Sequence, residues 1–302
     1  MSDIPSISII IPTYNQGHLI GECLESIRSQ SISNWEAIII NNFSDDNTEG
    51  VVAKFQDSRF RMIRFRNHGV IAASRNEGVR QARGPYLAFL DSDDIWHSTK
   101  IEKTLGAMQA GHEIVCHANK CVRADGSTAS VIGRKPTKGA TYCQLLFKGN
   151  CISTSGVSMT AQLFHSVGGF SEKPDYTTAE DYNLWLNLTH SGANIHFIDN
   201  ILGEYRLHSG NQSSAAQQNH RAITEVLKFH FSTNVQSTTI NRIRIRRRFG
   251  LAAYGCTRML QRNKQFMPAY KWSIYSLFLW PFAPKAWAAL LLNMLCKLQR
   301  NN

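Results

Sequence analysis

Residues 86–96 read Tyr-Leu-Ala-Phe-Leu-Asp-Ser-Asp-Asp-Ile-Trp, an apolar run that breaks off into Asp91, Asp93 and Asp94. Carboxylates are costly to bury unless a cation meets them. A short apolar strand that delivers acids at its C-terminal tip is what an open α/β sheet offers a ligand, because ligands bind outside that edge. Asp91 and Asp93 are therefore candidate ligands for a divalent metal. Their hard oxygens suit Mg²⁺ or Mn²⁺, and Mg²⁺ takes few carboxylates, completing its shell with water and phosphate oxygens. The pattern points to a phosphorylated substrate. Taken alone, the same acids read equally well as a solvated loop capping the next helix.

The flanking sequence supplies the sheet. Ile7 to Ile11 is a β-branched run closed by Pro12, which predicts a strand buried on both faces. Leu19, Ile20, Cys23, Leu24 and Ile27 recur at helical spacing and predict a helix from His18 to Gln30. A second strand over Ala37 to Ile40 exits into the polar turn Asn41 to Asn47. A helix over Thr48 to Phe55 and a strand over Arg61 to Phe65 follow. Val70 to Arg83 is the next helix, with Gly84 as its C′ residue and Pro85 beyond. Strand and helix alternate up to Leu90, which predicts a mostly parallel sheet of nucleotide-binding type. Neither Gly-x-Gly-x-x-Gly nor a Gly-Lys-Ser/Thr loop follows the first strand, which argues against dinucleotide and P-loop sites.

The 302 residues, 43% of them hydrophobic, suffice for a full core. Thirty-three Lys and Arg against 22 Asp and Glu give a net charge of +11, which suits a nucleotide, a nucleic acid or an acidic lipid surface. The N-terminus carries no secretory pattern, and seven cysteines without CxxC spacing read as reduced thiols, so the expected location is cytoplasmic. His112, Cys116, His117 and Cys121 are zinc-ligand types, but a strand over Glu113 to Ala118 sends Cys116 and His117 to opposite faces.

Seven segments carry a family resemblance. They are Ile9-Ile-Ile-Pro-Thr-Tyr-Asn15, Asn41-Asn-Phe-Ser44, Gly69-Val-Ile-Ala-Ala-Ser-Arg-Asn76, Phe89-Leu-Asp-Ser-Asp-Asp-Ile-Trp96, Val167-Gly-Gly-Phe170, Glu180-Asp-Tyr-Asn-Leu-Trp185 and Tyr205-Arg-Leu-His208. In this order they resemble the motifs of family 2 glycosyltransferases of the bacterial polysaccharide-synthesis type, over residues 5 to 210. Each motif is weak alone, and the order gives the signal. The resemblance implies an α/β GT-A (nucleotide-diphospho-sugar transferase) fold with a mostly parallel central sheet. It also implies inverting transfer from a nucleoside-diphosphate sugar.

Carried over by position, it places Pro12, Thr13, Asn15, Asn42, Arg75, Asp91 and Ser92 around the nucleotide sugar. It assigns Asp93, Asp91 and His208 to a Mn²⁺ or Mg²⁺ ion, and it makes Asp181 of the Glu180–Asp181 pair the general base. The family's paired aspartates are here Asn41-Asn42, so a contact to a pyrimidine ring N–H must use an amide oxygen. Uridine is the first expectation. Arg75 is alternatively a helix-surface residue, Glu180 and Asp181 alternatively only cap their helix, and His208 is alternatively structural.

Residues 118–149 are irregular and resemble nothing placeable. Cys151 to Thr160 predicts a strand, Ala161 to Val167 a short helix ended by Gly168-Gly169, and Glu180 to His190 a helix with Leu184, Trp185 and Leu188 inward. The expected division is a catalytic domain over 1–212 and a helical, basic and apolar region over 213–302. Arg242 to Arg248 is expected in a helix. Trp272 to Leu298 is rich in Trp, Phe, Leu and Ala, but Pro281 and Pro284 interrupt it before about 20 apolar residues accumulate. Two readings stay open for it: helices lying on an acidic membrane surface, which would make the protein peripheral at the inner face of the cell membrane, or packing against the catalytic domain or a second copy in a homo-oligomer. The expected acceptor is a glycan or lipid-linked glycan. The rival functions are a metal-dependent nucleotidyltransferase and a basic nucleic-acid-binding protein; acids at a strand tip argue against nucleic acid as the partner.

Overall fold

All seven residues of β1 (Ile7–Thr13) are buried, as are those of β2 (Trp35–Asn41), which fits their β-branched runs. In the computed structural model, which describes residues 4–208 and 215–298, these two strands pair in parallel from Ile7 opposite Trp35 to Thr13 opposite Asn41. β3 (Phe60–Arg64) and β4 (Tyr86–Phe89) extend the parallel part on either side, giving the order β3-β2-β1-β4. The crossovers are α1 (Ile20–Arg28), α2 (Thr48–Ala53) and α3 (Ile71–Arg80).

Two local expectations are corrected. Pro12 does not end β1; the strand runs one residue past it. Ile10 bonds to the β4 side, through Leu90 N–H at 3.0 Å, and Thr13 to the β2 side, through Asn42 N–H at 3.0 Å. Pro12 shares the parity of Ile10, so its missing N–H falls on the side where β4 pairing has already ended at Phe89. Gly84 is not the αL residue of a helix end, because α3 stops at Arg80. A Cβ there would lie 2.9 Å from the Pro5 carbonyl oxygen, and close backbone approach explains the glycine.

Beyond β4 the sheet becomes mixed. The two-residue β5 (Ile95–Trp96) is followed by α4 (Lys100–Gln109), β6 (Ile114–Arg123) and β7 (Thr128–Ile132). α5 (Tyr142–Lys148), β8 (Val157–Thr160), α6 (Ala161–Ser166), α7 (Glu180–His190) and β9 (Ile195–Leu207) complete this part. The strand order continues β4-β8-β6-β9-β5, with β7 paired to β6. The irregular stretch 118–149 thus holds a hairpin arm and a helix. The strand expected from Cys151 is shorter: a 3-10 turn, Thr154–Gly156, precedes β8. Gly168 and Gly169 both take positive φ after α6, as a helix stop requires.

Among the described residues the chain forms two compact units. The first comprises 4–142, 151–172 and 183–208; the second comprises 143–150, 173–182 and 215–298. The core of the first is built on Ile7, Ile9, Ile11, Leu24, Ile39 and Trp96. The second holds α8 (Ala216–Asn234), α9 (Thr239–Arg262), α10 (Phe266–Leu279) and α11 (Pro284–Leu298). Thr238 caps α9 through its hydroxyl, which accepts from Asn241 N–H at 3.3 Å. Phe231 joins Phe147 and Phe249 at ring distances of 5.5 and 5.8 Å.

Candidate active site

The carboxyl ends of β1, β2 and β4 bring Thr13, Asn41-Asn42 and Asp91 to one edge of the parallel sheet, where an open α/β fold receives ligands. Arg75, projecting from α3, is buried and donates from a guanidinium nitrogen to Asp91 Oδ1 at 2.7 Å. Its guanidinium also lies 5.4 Å from the Phe170 ring centre. The surface reading of Arg75 is therefore set aside: this is a charge held beside a half-buried carboxylate. Asp93 Oδ2 lies 2.9 Å from His208 Nε2, which brings the last residue of the Tyr-Arg-Leu-His segment to the acidic loop.

Asp94 behaves differently. It is buried and accepts from the Ser155 hydroxyl at 2.5 Å and from Arg206 N–H at 3.1 Å. Burial, and then the charges of Asp93 and Asp91, push its pKa well above the usual carboxylate range. Nor does it cap α4, which begins six residues later. Arg206 fastens the loop further, donating to the Asp93 carbonyl, to Glu22 at 2.6 Å and to the Leu19 carbonyl at 3.0 Å. Ser155 also accepts from Asp91 N–H at 3.2 Å. Ser92, between the two outward acids, is buried.

The neighbouring strand tips shape a second wall. Pro12 and Thr13 are buried, and the Thr13 hydroxyl has no hydrogen-bond partner among the described residues. Asn15 adopts φ 52° and is clamped from both ends: its N–H donates to Ser44 Oγ at 2.9 Å and its Oδ1 accepts from Asp45 N–H at 2.8 Å. Asn41 turns inward, accepting from Ser44 and donating to Glu49 at 2.8 Å. Asn42 Oδ1 accepts from Asn67 N–H at 3.0 Å. A backbone donor can face only the amide oxygen, so this bond fixes which end of the Asn42 amide is which. Next to it the half-exposed Phe43, at φ 55°, carries the Arg66 guanidinium 4.8 Å from its ring centre.

Glu180 and Asp181 lie in the second unit, at the start of α7. Glu180 is buried and its carboxylate accepts from Thr178 N–H at 2.8 Å, holding a residue with φ 84°. Asp181 is partly exposed; it accepts from Tyr182 N–H at 2.6 Å and from the Asn150 amide at 3.3 Å. Of the pair, Glu180 is buried and braces the turn, while Asp181 is partly exposed.

The model of "Glycosyl transferase family 2" matches residues 8–158, and that of "Glycosyl transferase family group 2" matches 86–296. The chain belongs to glycosyltransferase family 2. It is similar to the UDP-Glc:alpha-D-GlcNAc-diphosphoundecaprenol beta-1,3-glucosyltransferase WfaP of Escherichia coli, 31% identical over 69% of this chain and 80% of that protein. Among solved structures, the mannosyltransferase PcManGT from Pyrobaculum calidifontis, in complex with GDP-Man and Mn²⁺, superposes with a TM-score of 0.61. That likeness covers 99% of this chain and 88% of the other at 15% identity. TarS of S. aureus, in complex with UDP-GlcNAc, gives a TM-score of 0.58 at 19% identity over 95% of this chain and 89% of the other. At such identities the likeness establishes the GT-A fold.

Within this glycosyltransferase, no group of three metal-ligating side chains occurs among the described residues. His112 stacks on His196 at 3.9 Å, while Cys116, His117 and Cys121 are buried in β6. Burial raises the Cys116 thiol to about 12 and lowers His117 to about 3. The zinc reading therefore finds no support. The set fitting a hard divalent ion is Asp93 with His208, with Asp91 close in sequence, and such an ion draws its other ligands from phosphate and water. The basic run in α9 is partly structural: Arg248 is buried and donates to the Leu146 carbonyl at 3.0 Å, and Arg246 donates to the Phe278 and Leu279 carbonyls at the end of α10. Sequence reasoning missed Ser155 and Arg206 as props of the acidic loop. The only sequence signal for Arg206 was its place in the Tyr-Arg-Leu-His segment, and Ser155 had none, because both reach the loop through tertiary contacts.

Proposed function

We propose that this enzyme transfers a sugar, with inversion, from a UDP-sugar to a hydroxyl of a lipid-linked glycan at the inner face of the cell membrane. The carrying observation is the pair of outward acids at the tip of β4, Asp91 held by Arg75 and Asp93 beside His208, next to the strand tips of Thr13 and Asn42. Pro12, Thr13, Asn15, Asn42 and Ser92 would line the nucleoside side, and Arg75 would offer its forked donors near the diphosphate. Asp93, His208 and Asp91 would hold Mn²⁺ or Mg²⁺, which when bound neutralises charge developing on the leaving nucleoside diphosphate.

The remaining chemistry belongs to the chain. The acceptor oxygen attacks the anomeric carbon from the side opposite the departing diphosphate, so the C–O bond to the acceptor forms as that to the nucleotide breaks. Asp181 takes the hydroxyl proton during that attack. Its partial exposure at the start of α7 supports this reading, since an acceptor hydroxyl has to reach the base from solvent. Glu180 keeps the turn before it in place. Residues 1–212 would carry this chemistry and the C-terminal helices the placement at the membrane.

The test is Asp181→Asn, assayed with UDP-sugars and a diphosphopolyprenyl glycan. The expected outcome is a fall in kcat of about 100-fold or more with donor affinity kept. Unchanged turnover would remove Asp181 from this role.

A further inference from the structure

In α10 and α11 the usual burial pattern of a helix pair in water is reversed. Apart from Leu277, their buried positions are small or polar, among them Ser273, Ser276, Asn293, Ala286 and Ala289. These groups satisfy one another. Gln261 of α9 donates to Asn293 Oδ1 at 2.8 Å, Asn293 donates to Ser273 Oγ at 2.9 Å, and Ser276 Oγ donates to the Gly250 carbonyl at 2.8 Å. Helix α9 approaches α10 so closely that a Cβ on Gly250 would stand 2.7 Å from the Trp280 Cβ. Large apolar groups are exposed on these helices and on the turn between them: Phe278 is 70% exposed, Phe282 of the turn 77%, Trp287 50%, Leu291 59% and Leu295 60%.

Small residues and hydrogen bonds inside, with large apolar groups outside, are how helices associate where the surroundings are hydrocarbon. An apolar face of this kind marks an interaction site. It does not mark a span: among the described residues no helix is long and apolar enough to cross a membrane.

Charge decides the occupant. Residues 226–302 contain 13 Lys and Arg and no Asp or Glu, whereas residues 1–225 contain 20 Lys and Arg against 22 acids. The whole positive excess of the chain therefore lies in the segment that holds the apolar face. Lys271 and Lys285 are exposed on the same two helices. A second copy seated on this face would bring the same acid-free surface against its like. An anionic bilayer complements both features, taking the aromatic and aliphatic groups at the acyl boundary and the cations at the head groups.

We propose that α10 and α11 lie in the surface of an anionic membrane with Phe278, Phe282, Trp287, Leu291 and Leu295 inserted. The proposal rests on the membrane-surface reading above and names the surface that achieves it. Full-length protein is floated with phosphatidylcholine vesicles and with mixed phosphatidylcholine–phosphatidylglycerol vesicles, beside the variant Phe278→Ser/Phe282→Ser/Leu291→Ser. Binding of a UDP-sugar with Mn²⁺ is measured on both proteins as an independent readout of the folded catalytic site. The expected result is binding that requires phosphatidylglycerol, weakens with salt, and falls about tenfold or more in the triple variant while donor binding stays the same. Quenching of tryptophan fluorescence by brominated lipid in the wild type is the second measurement expected. The proposal is overturned if the wild type ignores anionic vesicles, if the variant floats as well as the wild type, or if the substitutions instead abolish a concentration-dependent dimer. Vesicle binding without donor binding would sink the functional reading and leave this one standing.

Discussion

The imidazole Nε2 of His208 and the carboxylate Oδ2 of Asp93 lie 2.9 Å apart, across 115 residues of chain. On the proposed reading, an ion taking both as ligands would replace that contact, and the pair would serve as a preformed donor set. Asp93→Ala is expected to weaken Mn²⁺-dependent UDP-sugar binding by about tenfold or more, and His208→Ala by a comparable factor. Titration calorimetry with and without chelator checks this. Chelation should lower donor affinity in the wild type and change little in Asp93→Ala.

Asn42 already accepts a hydrogen bond from Asn67 N–H through its amide oxygen. A ring N–H of uracil would share that oxygen. Asn42→Asp keeps an acceptor for Asn67 and adds a charged one for the base, so uridine nucleotides are expected to bind about tenfold tighter. Competition between UDP and CDP measures the gain, and an equal gain for both would show that residue 42 does not read the base.

Glu36 is buried in β2 and accepts from Ser8 Oγ at 2.7 Å, Arg83 N–H at 2.7 Å and Arg83 Nε at 2.8 Å. Burial pushes its pKa up, but these hydrogen bonds together hold it below the usual carboxylate range. The stability it contributes is therefore fully present above the unfolded-state pKa of about 4.3 and is lost as pH falls through the lower folded-state value. Glu36→Gln is expected to cost about 1–3 kcal/mol at neutral pH and to flatten the acid limb. Urea midpoints collected between neutral and acid pH check both.

Gly78 sits where α3 crosses the sheet, and a Cβ there would come within 2.4 Å of Ile10 Cγ2. Gly78→Ala is expected to destabilise the fold by about 1–3 kcal/mol through overpacking, despite alanine's better helix propensity. Thermal unfolding is the measurement, and a rise in Tm would show that α3 shifts freely.

Much of the first unit was legible because its signals are local. The β-branched run at Ile7 and the 3.6-residue spacing of Leu24 and Ile27 need no partner to be read; α7, which begins in the second unit, likewise occupies the expected span Glu180–His190. Strand β5 was not legible, because two residues show no period and Ile95 becomes a strand only through pairing with Glu204. The three acids of the opening stretch looked alike, yet their fates differ: Asp91 meets Arg75, Asp93 meets His208 and Asp94 is buried under Ser155 and Arg206.

By itself, then, the sequence determined the alternation of strands and helices, the acidic tip after Phe89 and the order of motifs that marks the family. These follow from periodicity and turn chemistry within windows of a few residues. Only the tertiary structure decided which acid is buried, which end of the Asn42 amide is engaged, and that Ser273 and Asn293 face inward while Phe278 and Leu291 face out. Those outcomes depend on groups brought together from distant parts of the chain, and hydrophobicity along a helix does not say what lies on either side of it.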